Sequence, residues 1–327
     1  MFSREFIESF LQGYTSEELG RIEQDLIHVN QLSFYQVSPS STTPSLYVAT
    51  ADGPGSAKST TIETFLREND LTKHFVYADP DAVSLKNMSY TYRASLSYFH
   101  FALSPSNHDA LKDAYNKWRG ASNYINHEIL QKAFGGEKGL DEKYCVAHGT
   151  TSTYSKIASL YEKIKARGYH IKLLLCYSHD ETRKQRIESR ETEQGFVQSD
   201  LGDVIEKEKM FPERFDDYFK YADELVFYWN DELRHRELPV PCAKYMKAGD
   251  KIDLTILDEK NWLCFCRKYL KDVEAFHIPI SKDFESIIPK ELLVDKGSNR
   301  ASALNEYALW SNTSAPSVST QQNRMSI

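Results

Sequence analysis

Apolar and polar residues along this chain fall into two rhythms, short continuous apolar runs and stripes of period near 3.6, and the switches between them lay out the elements. Over residues 15–32, Leu19, Ile22, Leu26 and Val29 form one stripe; Thr15 or Ser16 can cap it, and Glu17 and Glu18 suit the positive helix end, so a helix is predicted. Leu46-Tyr47-Val48 is a β-type run that enters a glycine-containing loop, after which Thr61 to Arg67 reads as a helix. His74–Ala78 and Lys143–Ala147 predict short strands, and between them Asp109–Phe134 predicts a long helix closed by Gly135-Gly136. Ser155–Arg167 places Ile157, Leu160, Tyr161 and Ile164 on one face, with Gly168 as its stop. His170–Tyr177 is a nearly continuous apolar run, the pattern of a strand covered on both faces. A basic helix over Asp180–Arg190, a helix over Leu201–Lys220 broken near Pro212, and a strand over Glu224–Trp229 complete the core.

Strands separated by helices in this order imply an α/β fold, a mainly parallel sheet with helices on both faces. Ser-Pro-Ser-Ser-Thr-Thr-Pro at 38–44 reads as a linker, which divides a helical extension (1–43) from a core (44–235). Beyond it, Pro239, Pro241 and Gly249-Asp250 punctuate a hairpin in which Ile252, Leu254 and Ile256 alternate, and Asp258 opens a helix over Glu259–Val273. Residues 236–296 therefore read as a small appended α+β unit. The tail, 297–327, is rich in Ser, Asn, Thr and Gln and is expected to lack fixed structure.

The turn out of the first core strand is where candidate chemistry begins. Asp52-Gly53-Pro54-Gly55-Ser56-Ala57-Lys58-Ser59-Thr60 joins strand to helix, and that arrangement builds a phosphate cradle. Backbone N–H groups and a helix N-terminus face the phosphates, Lys58 supplies a point charge, and Ser59 can hold Mg²⁺. Gly53, Pro54, Gly55, Ser56, Ala57, Lys58, Ser59 and Thr60 are the candidate nucleotide-binding positions. Against the pattern G-x-x-x-x-G-K-[ST], Asp52 and Ala57 stand at the two glycines. A left-handed backbone at Ala57 would cost about 1–2 kcal/mol, and Asp52 would set a like charge near a phosphate. A plain glycine turn ahead of a helix is the competing reading.

Carboxyl ends of parallel strands line the ligand crevice, so residues ending the other strands belong beside this loop. Asp79-Pro80-Asp81 offers one carboxylate as general base on an acceptor hydroxyl and another to orient Mg²⁺; a helix cap is the alternative. His148, Thr150 and Thr151 can contact substrate or, equally, pack and cap. Arg183, Arg186 and Arg190 share one helix face at i, i+3, i+7, and guanidinium forks suit phosphates, although Glu181, Glu188 and Glu191 would also make a salt-bridged surface. Arg190 is the preferred catalytic arginine and Arg186 a second nucleotide contact; Lys207 and Lys209 are weaker candidates. Ser122 and Asn123, beside Trp118 and Tyr124, can grip an acceptor or simply pack.

Composition narrows the function classes. A net charge of −7 over 327 residues opposes a general nucleic-acid or membrane-surface role. The 20 Tyr and 17 Phe promise an aromatic core. Five cysteines without framework spacing read as reduced thiols of a cytosolic compartment, and Arg4, Glu5 and Glu8 argue against a secretory signal. No apolar run approaches the roughly 18 residues of a membrane span.

Taken together, Asp-Gly-Pro-Gly-Ser-Ala-Lys-Ser-Thr (52–60), Tyr-Ala-Asp-Pro-Asp (77–81), His-Gly-Thr-Thr-Ser (148–152), Ala-Arg-Gly-Tyr (166–169) and the arginine-rich segment 183–190 resemble the zeta toxin family of P-loop kinases over about residues 44–232. The resemblance implies a P-loop kinase-like sheet and ATP- or GTP-dependent phosphorylation of a small hydroxyl acceptor such as UDP-N-acetylglucosamine. Lys58 and Ser59 would then bind nucleotide and Mg²⁺, with Asp79 beside the metal. Asp81 would be the base, Thr150 would touch substrate, and Arg190 would stabilise the transferring group. His148 stands where many members carry an acid, Ser152 where an arginine is frequent, and Gly195-Phe196-Val197-Gln198 lacks a second arginine. These departures keep a second hypothesis open, a nucleotide-binding pseudoenzyme or switch acting on a protein partner. The family also has protein antitoxins as partners. Transfer to a nucleic-acid 5′-OH is disfavoured by the acidic charge. The polar tail is compatible with delivery by a bacterial secretion machine.

Overall fold

The strand that feeds the glycine loop, β1 (Ser45–Ala51), is buried along almost its whole length because it lies in the middle of the sheet. Its neighbours are β3 (Cys145–His148) on one side and β4 (Tyr169–Tyr177) on the other, both parallel to it. β2 (Phe75–Ala78) pairs outside β3 and β5 (Glu224–Trp229) outside β4, again parallel. The antiparallel pair β6 (Pro241–Ala248) and β7 (Lys251–Ile256) continues the sheet from β5, giving the order β2-β3-β1-β4-β5-β6-β7. The chain therefore departs from β1 toward both edges. That switch point opens the crevice at the carboxyl ends of β1, β3 and β4.

The structure, a computed structural model, describes residues 2–41, 44–100, 108–136, 138, 141–195, 201–231, 238–248 and 251–293. The expected arginine-poor loop at 196–198, the turn at 249–250 and the tail 297–327 lie outside them. Met1–Ile287 forms one compact unit; the second, Ile288–Ile327, contributes the described helix Lys290–Leu293. The segment read as an appended unit supplies the last two strands of the common sheet and the helix Glu259–Ala275.

Helices form where the stripes predict them, with boundaries set by local chemistry. In α2 (Ser16–Ser33), after the short α1 (Arg4–Glu8), the Thr15 hydroxyl accepts from the Glu18 amide at 3.3 Å while the Glu18 carboxylate accepts from the Thr15 amide at 2.9 Å. This reciprocal cap satisfies two amides that would otherwise lack partners. α3 (Lys58–Glu68) starts three residues earlier than the apolar stripe alone suggests, because the loop itself turns into the helix at Ala57. α4 (Tyr92–His100) and α5 (His108–Ala133) follow, then α6 (Ile157–Ala166) and α7 (Asp180–Gln194). The expected break near Pro212 falls at Arg214, between α8 (Leu201–Glu213) and α9 (Phe215–Tyr221). α10 (Glu259–Ala275) is capped by Asp258, as its sequence suggests, and α11 (Lys282–Glu285) follows.

One core layer joins the sheet to α3 through Val48, Leu174, Val226, Ile62 and Leu66. The aromatic content fills another: Phe215, Tyr218, Phe219, Phe227, Trp262, Phe265, Tyr269 and Phe284 pack ring on ring at centroid separations of 4.5–6.5 Å. Rings of this size contribute roughly 1.5–3 kcal/mol each by burial, so this cluster anchors α9, α10 and α11 to β5. None of the five cysteines forms a disulfide, and among the described residues no helix is long and apolar enough to cross a membrane.

Candidate active site

The loop leaving β1 is held in a strained form. Asp52 has φ 134° and Ala57 has φ 63°, both in the region that favours glycine. Ala57 thus carries the backbone cost anticipated for it, and Ala57→Gly is expected to stabilise the protein by up to about 1 kcal/mol in urea unfolding, the relief of strain being offset in part by glycine's greater entropy. Gly55 is required for closeness: a Cβ there would lie 2.7 Å from the Arg183 carbonyl oxygen.

Asp52 does not face the crevice. Its side chain is fully buried behind the loop, its Oδ1 accepts from the Gly53 amide, and Arg183 Nη1 stands 3.8 Å away. Burial raises its pKa while Arg183 and Lys58 oppose the rise. The like charge expected beside a phosphate is therefore directed into the protein interior.

A cavity of about 890 Å³ opens at the carboxyl ends of the strands. Pro54, Gly55, Ala57, Lys58, Ser59, Thr60, Asp79, Asp81, Asn123, His148, Thr150, Thr151 and Arg190 all line it, joined by Lys207. Elements far apart in sequence thus converge: the loop and α3, the turn after β2, the middle of α5, the turn after β3, and α7. Lys58 Nζ donates to the Gly53 carbonyl and lies 3.5 Å from Ser56 Oγ. Burial lowers its pKa to about 8 against the attraction of Asp52.

Asp79 and Asp81 have different surroundings. Pro80–Leu85 is a π-helical turn, and Asp79 caps it, its Oδ1 accepting from the Asp81 amide at 2.8 Å and the Ala82 amide at 2.7 Å. The capping alternative thus holds for Asp79 Oδ1, while Oδ2 packs against Gly149, where any Cβ would collide with it. Asp81 is more open; Arg119 Nη1 lies 3.2 Å from its Oδ1, and Tyr115 donates to the same oxygen at 3.3 Å.

His148 Nδ1 is bonded to the Tyr47 hydroxyl at 2.8 Å, and burial, with His127 adding repulsion, pushes its pKa down to about 3. It is a neutral ring in the wall. Thr150 Oγ1 accepts from the Ser152 amide at 3.2 Å, and Thr151 Oγ1 accepts from the Thr153 hydroxyl at 3.0 Å. Ser152 is buried with φ 53° and donates to the Thr50 carbonyl at 2.7 Å, so this position locks the turn.

Several expected contacts are directed elsewhere. The Ser122 hydroxyl is buried and donates to the Pro80 carbonyl, which fixes α5 against the turn after β2. Ser56 is buried and donates to the Gly53 carbonyl at 3.0 Å, so it and Gly53 shape the loop from beneath rather than line the cavity. Arg186 donates to the Gly55 carbonyl at 3.0 Å and to the Asn230 carbonyl; it clamps the loop from behind. Lys209 is exposed and lies 4.0 Å from Glu213. Trp118 packs on Tyr14 and donates to Ser95 Oγ at 3.0 Å.

Sequence reasoning missed one wall altogether. Phe2, Phe6 and Phe10 from the N-terminal segment line the cavity and surround His127, with Phe10 stacked on its ring at 5.1 Å. Asn126, beside them on α5, is 2 % exposed and its Oδ1 has no hydrogen-bond partner. Lys156 and Lys163 also line the cavity. The i, i+4 spacing of Phe2, Phe6 and Phe10 was the available signal, but nothing in the sequence says which crevice that stripe meets.

No protein-family model and no curated protein matches this sequence. Solved structures do. The native AvrRxo1-ORF1:-ORF2 complex aligns at TM-score 0.54 with 9% identity, over 81% of this chain and 78% of that one. This chain and that complex share an α/β fold, here a mostly parallel sheet with helices packed against it. The form of that complex with ATP aligns at TM-score 0.50, again at 9% identity, over 81% of this chain and 77% of that one. A chain of the PezAT chromosomal toxin–antitoxin system of Streptococcus pneumoniae aligns at TM-score 0.47 with 12% identity, over 67% of this chain and 80% of that one. At such identities the likeness is one of architecture.

Proposed function

We propose that this protein is an Mg²⁺-dependent phosphotransferase that moves the γ-phosphate of ATP or GTP to a hydroxyl of a small, anionic acceptor. The motif resemblance favours a sugar nucleotide such as UDP-N-acetylglucosamine. The observation that carries the reading is convergence on one cavity: Lys58 and Ser59 at a helix N-terminus, Asp79 and Asp81 from the turn after β2, and Arg190 from a third element. Charge supports it. Lys58, Arg119, Lys156, Lys163, Arg190 and Lys207 line the cavity against two carboxylates, Asp79 and Asp81, in a protein of net charge −7. Such a concentration of cations suits two phosphate-bearing substrates. The fold's structural neighbour in complex with ATP supports the choice of nucleotide.

Each side chain then has a role. The loop amides and Lys58 hold the triphosphate, Arg190 stabilises charge on the transferring group, and Asp81 takes the acceptor proton. The phenylalanine wall and His127 exclude water and offer flat apolar faces to an acceptor ring. Ser59 and Asp79 Oδ2 are hard oxygen donors of the kind Mg²⁺ accepts. No group of three His, Cys, Asp or Glu among the described residues could hold a metal, so these donors suit an ion whose other ligands are phosphate and water. When bound, Mg²⁺ neutralises phosphate oxygens.

Incubating the protein with γ-labelled ATP, Mg²⁺ and a metabolite extract should place label in a small anionic molecule, identified by mass. A second reading, the nucleotide-binding switch, is favoured by the bond from Lys58 to the loop's own Gly53 carbonyl. It predicts tight nucleotide binding with no label transferred. That the neighbours are ORF1:ORF2 complexes supports a protein partner under either reading.

A further inference from the structure

Behind the phosphate loop a chain of alternating charges runs inward. Asp52 heads the loop; Arg183, with its side chain 3% exposed, lies beside it and donates from Nε to the Pro54 carbonyl at 3.1 Å and from Nη1 to Glu208 at 3.1 Å. Glu208 in turn accepts from Lys268 Nζ at 2.9 Å. Lys268 is wholly buried in α10 and also meets Asp272 at 2.6 Å and Asp180 at 2.7 Å, with the Tyr177 ring centroid 5.5 Å away. Lys271 completes the far end on Asp180 at 2.6 Å. α10 lies beyond the stretch that carries the kinase-like motifs, so Lys268 ties the support of the loop to a helix outside that stretch.

We propose that Lys268 is a positioning residue for the phosphate loop, acting through Glu208 and Arg183. This rests on the loop being the phosphate site. Arg183 is shared between Asp52 and the Pro54 carbonyl on one side and Glu208 on the other. Lys268 neutralises Glu208 and so leaves the guanidinium to the loop. Without that cation, Glu208, Asp180 and Asp272 surround an uncompensated site and draw Arg183 toward α10, because buried charges without partners reorganise the ones that remain. The loop must follow: a Cβ on Gly53 would sit 2.5 Å from Arg183 Nη2, and Gly55 packs against the Arg183 backbone. A loop so closely fitted has no room for independent movement of that arginine.

The test is amide hydrogen exchange of Gly53–Lys58 in the nucleotide-free full chain, with ATP–Mg²⁺ calorimetry beside it. Lys268→Met should speed exchange of these amides at least about tenfold while β4 and β5 keep wild-type protection, and should weaken ATP about tenfold. Lys268→Arg keeps the charge and should restore both. The Glu208→Gln/Lys268→Met pair removes an anion and a cation together and should return loop protection to near wild type; this arm decides should the single variant not fold. Unchanged loop exchange in a folded Lys268→Met, or exchange in the double variant as fast as in that single one, overturns the proposal. Loop exchange that responds as expected in a wild type that gives no heat with ATP upholds the positioning role and instead removes the nucleotide reading.

Discussion

Lys58→Ala should reduce phosphoryl transfer by at least about 10³-fold while leaving the melting temperature within a degree or two of wild type. The loss is large because a preorganised cation acts on charge that develops in the transition state, and removing one such group costs about 10²–10³ in rate before lost ground-state binding is added. Stability should survive because the folded protein disfavours this charge. Burial takes the Lys58 pKa from its ordinary 10.5 to about 8. Between those values the unfolded chain binds more protons than the folded one, so wild-type stability rises with pH from about 8 to 10.5 and is lowered by a constant amount below that window. In Lys58→Ala that rise should vanish. Nucleotide affinity has the opposite trend: the free protein loses its ammonium as pH rises through about 8, so ATP binding by calorimetry should weaken there in wild type and stay flat in the variant. A variant that keeps more than a tenth of wild-type transfer removes Lys58 from the mechanism.

The parts of this site that the sequence revealed are those whose signal is local. The loop, its lysine and the helix it opens are contiguous, and a parallel sheet sends the ends of its strands to one crevice, so Asp79, Asp81, His148 and Thr150 could be placed beside Lys58 from pattern alone. Roles within the crevice depend on direction, which a one-residue difference reverses. Ser122 and Asn123 are adjacent on α5, yet the first bonds to the Pro80 carbonyl and the second lines the cavity. Arg183, Arg186 and Arg190 share a face, but that face runs past the loop, so the first two hold it from behind and Arg190 alone of the three reaches the cavity wall. The hairpin after residue 240 shows the same limit at the level of topology. Its alternation was legible, while its continuation of the sheet through β5 depends on a register, Leu225 opposite Tyr245, that periodicity does not specify. The phenylalanine wall is the extreme case, since it joins residues 2–10 to α5 across more than a hundred positions.

Asp81→Asn is the second large effect, and it separates two carboxylates that differ little in sequence. In the base role proposed for Asp81, the variant should lose about 10²–10⁴-fold in single-turnover transfer when the negative charge is removed, with ATP affinity within about twofold of wild type. The amide keeps the size of the side chain and an oxygen for Arg119 and Tyr115, which hold Oδ1 at 3.2 and 3.3 Å, so the remaining loss is chemical. Asp79 behaves differently under the same change. Its Oδ1 accepts two backbone amides in the turn, a task an asparagine oxygen can perform, so Asp79→Asn should fold normally. Its penalty should appear in the magnesium dependence, as a higher Mg²⁺ concentration for half-maximal rate, because the oxygen offered to the metal is exchanged for a weaker donor. Comparison of the two variants across a magnesium series therefore assigns the roles. A rate loss in Asp81→Asn that excess Mg²⁺ repairs, together with one in Asp79→Asn that it does not, would exchange them, and the base would be the carboxylate that also builds the turn.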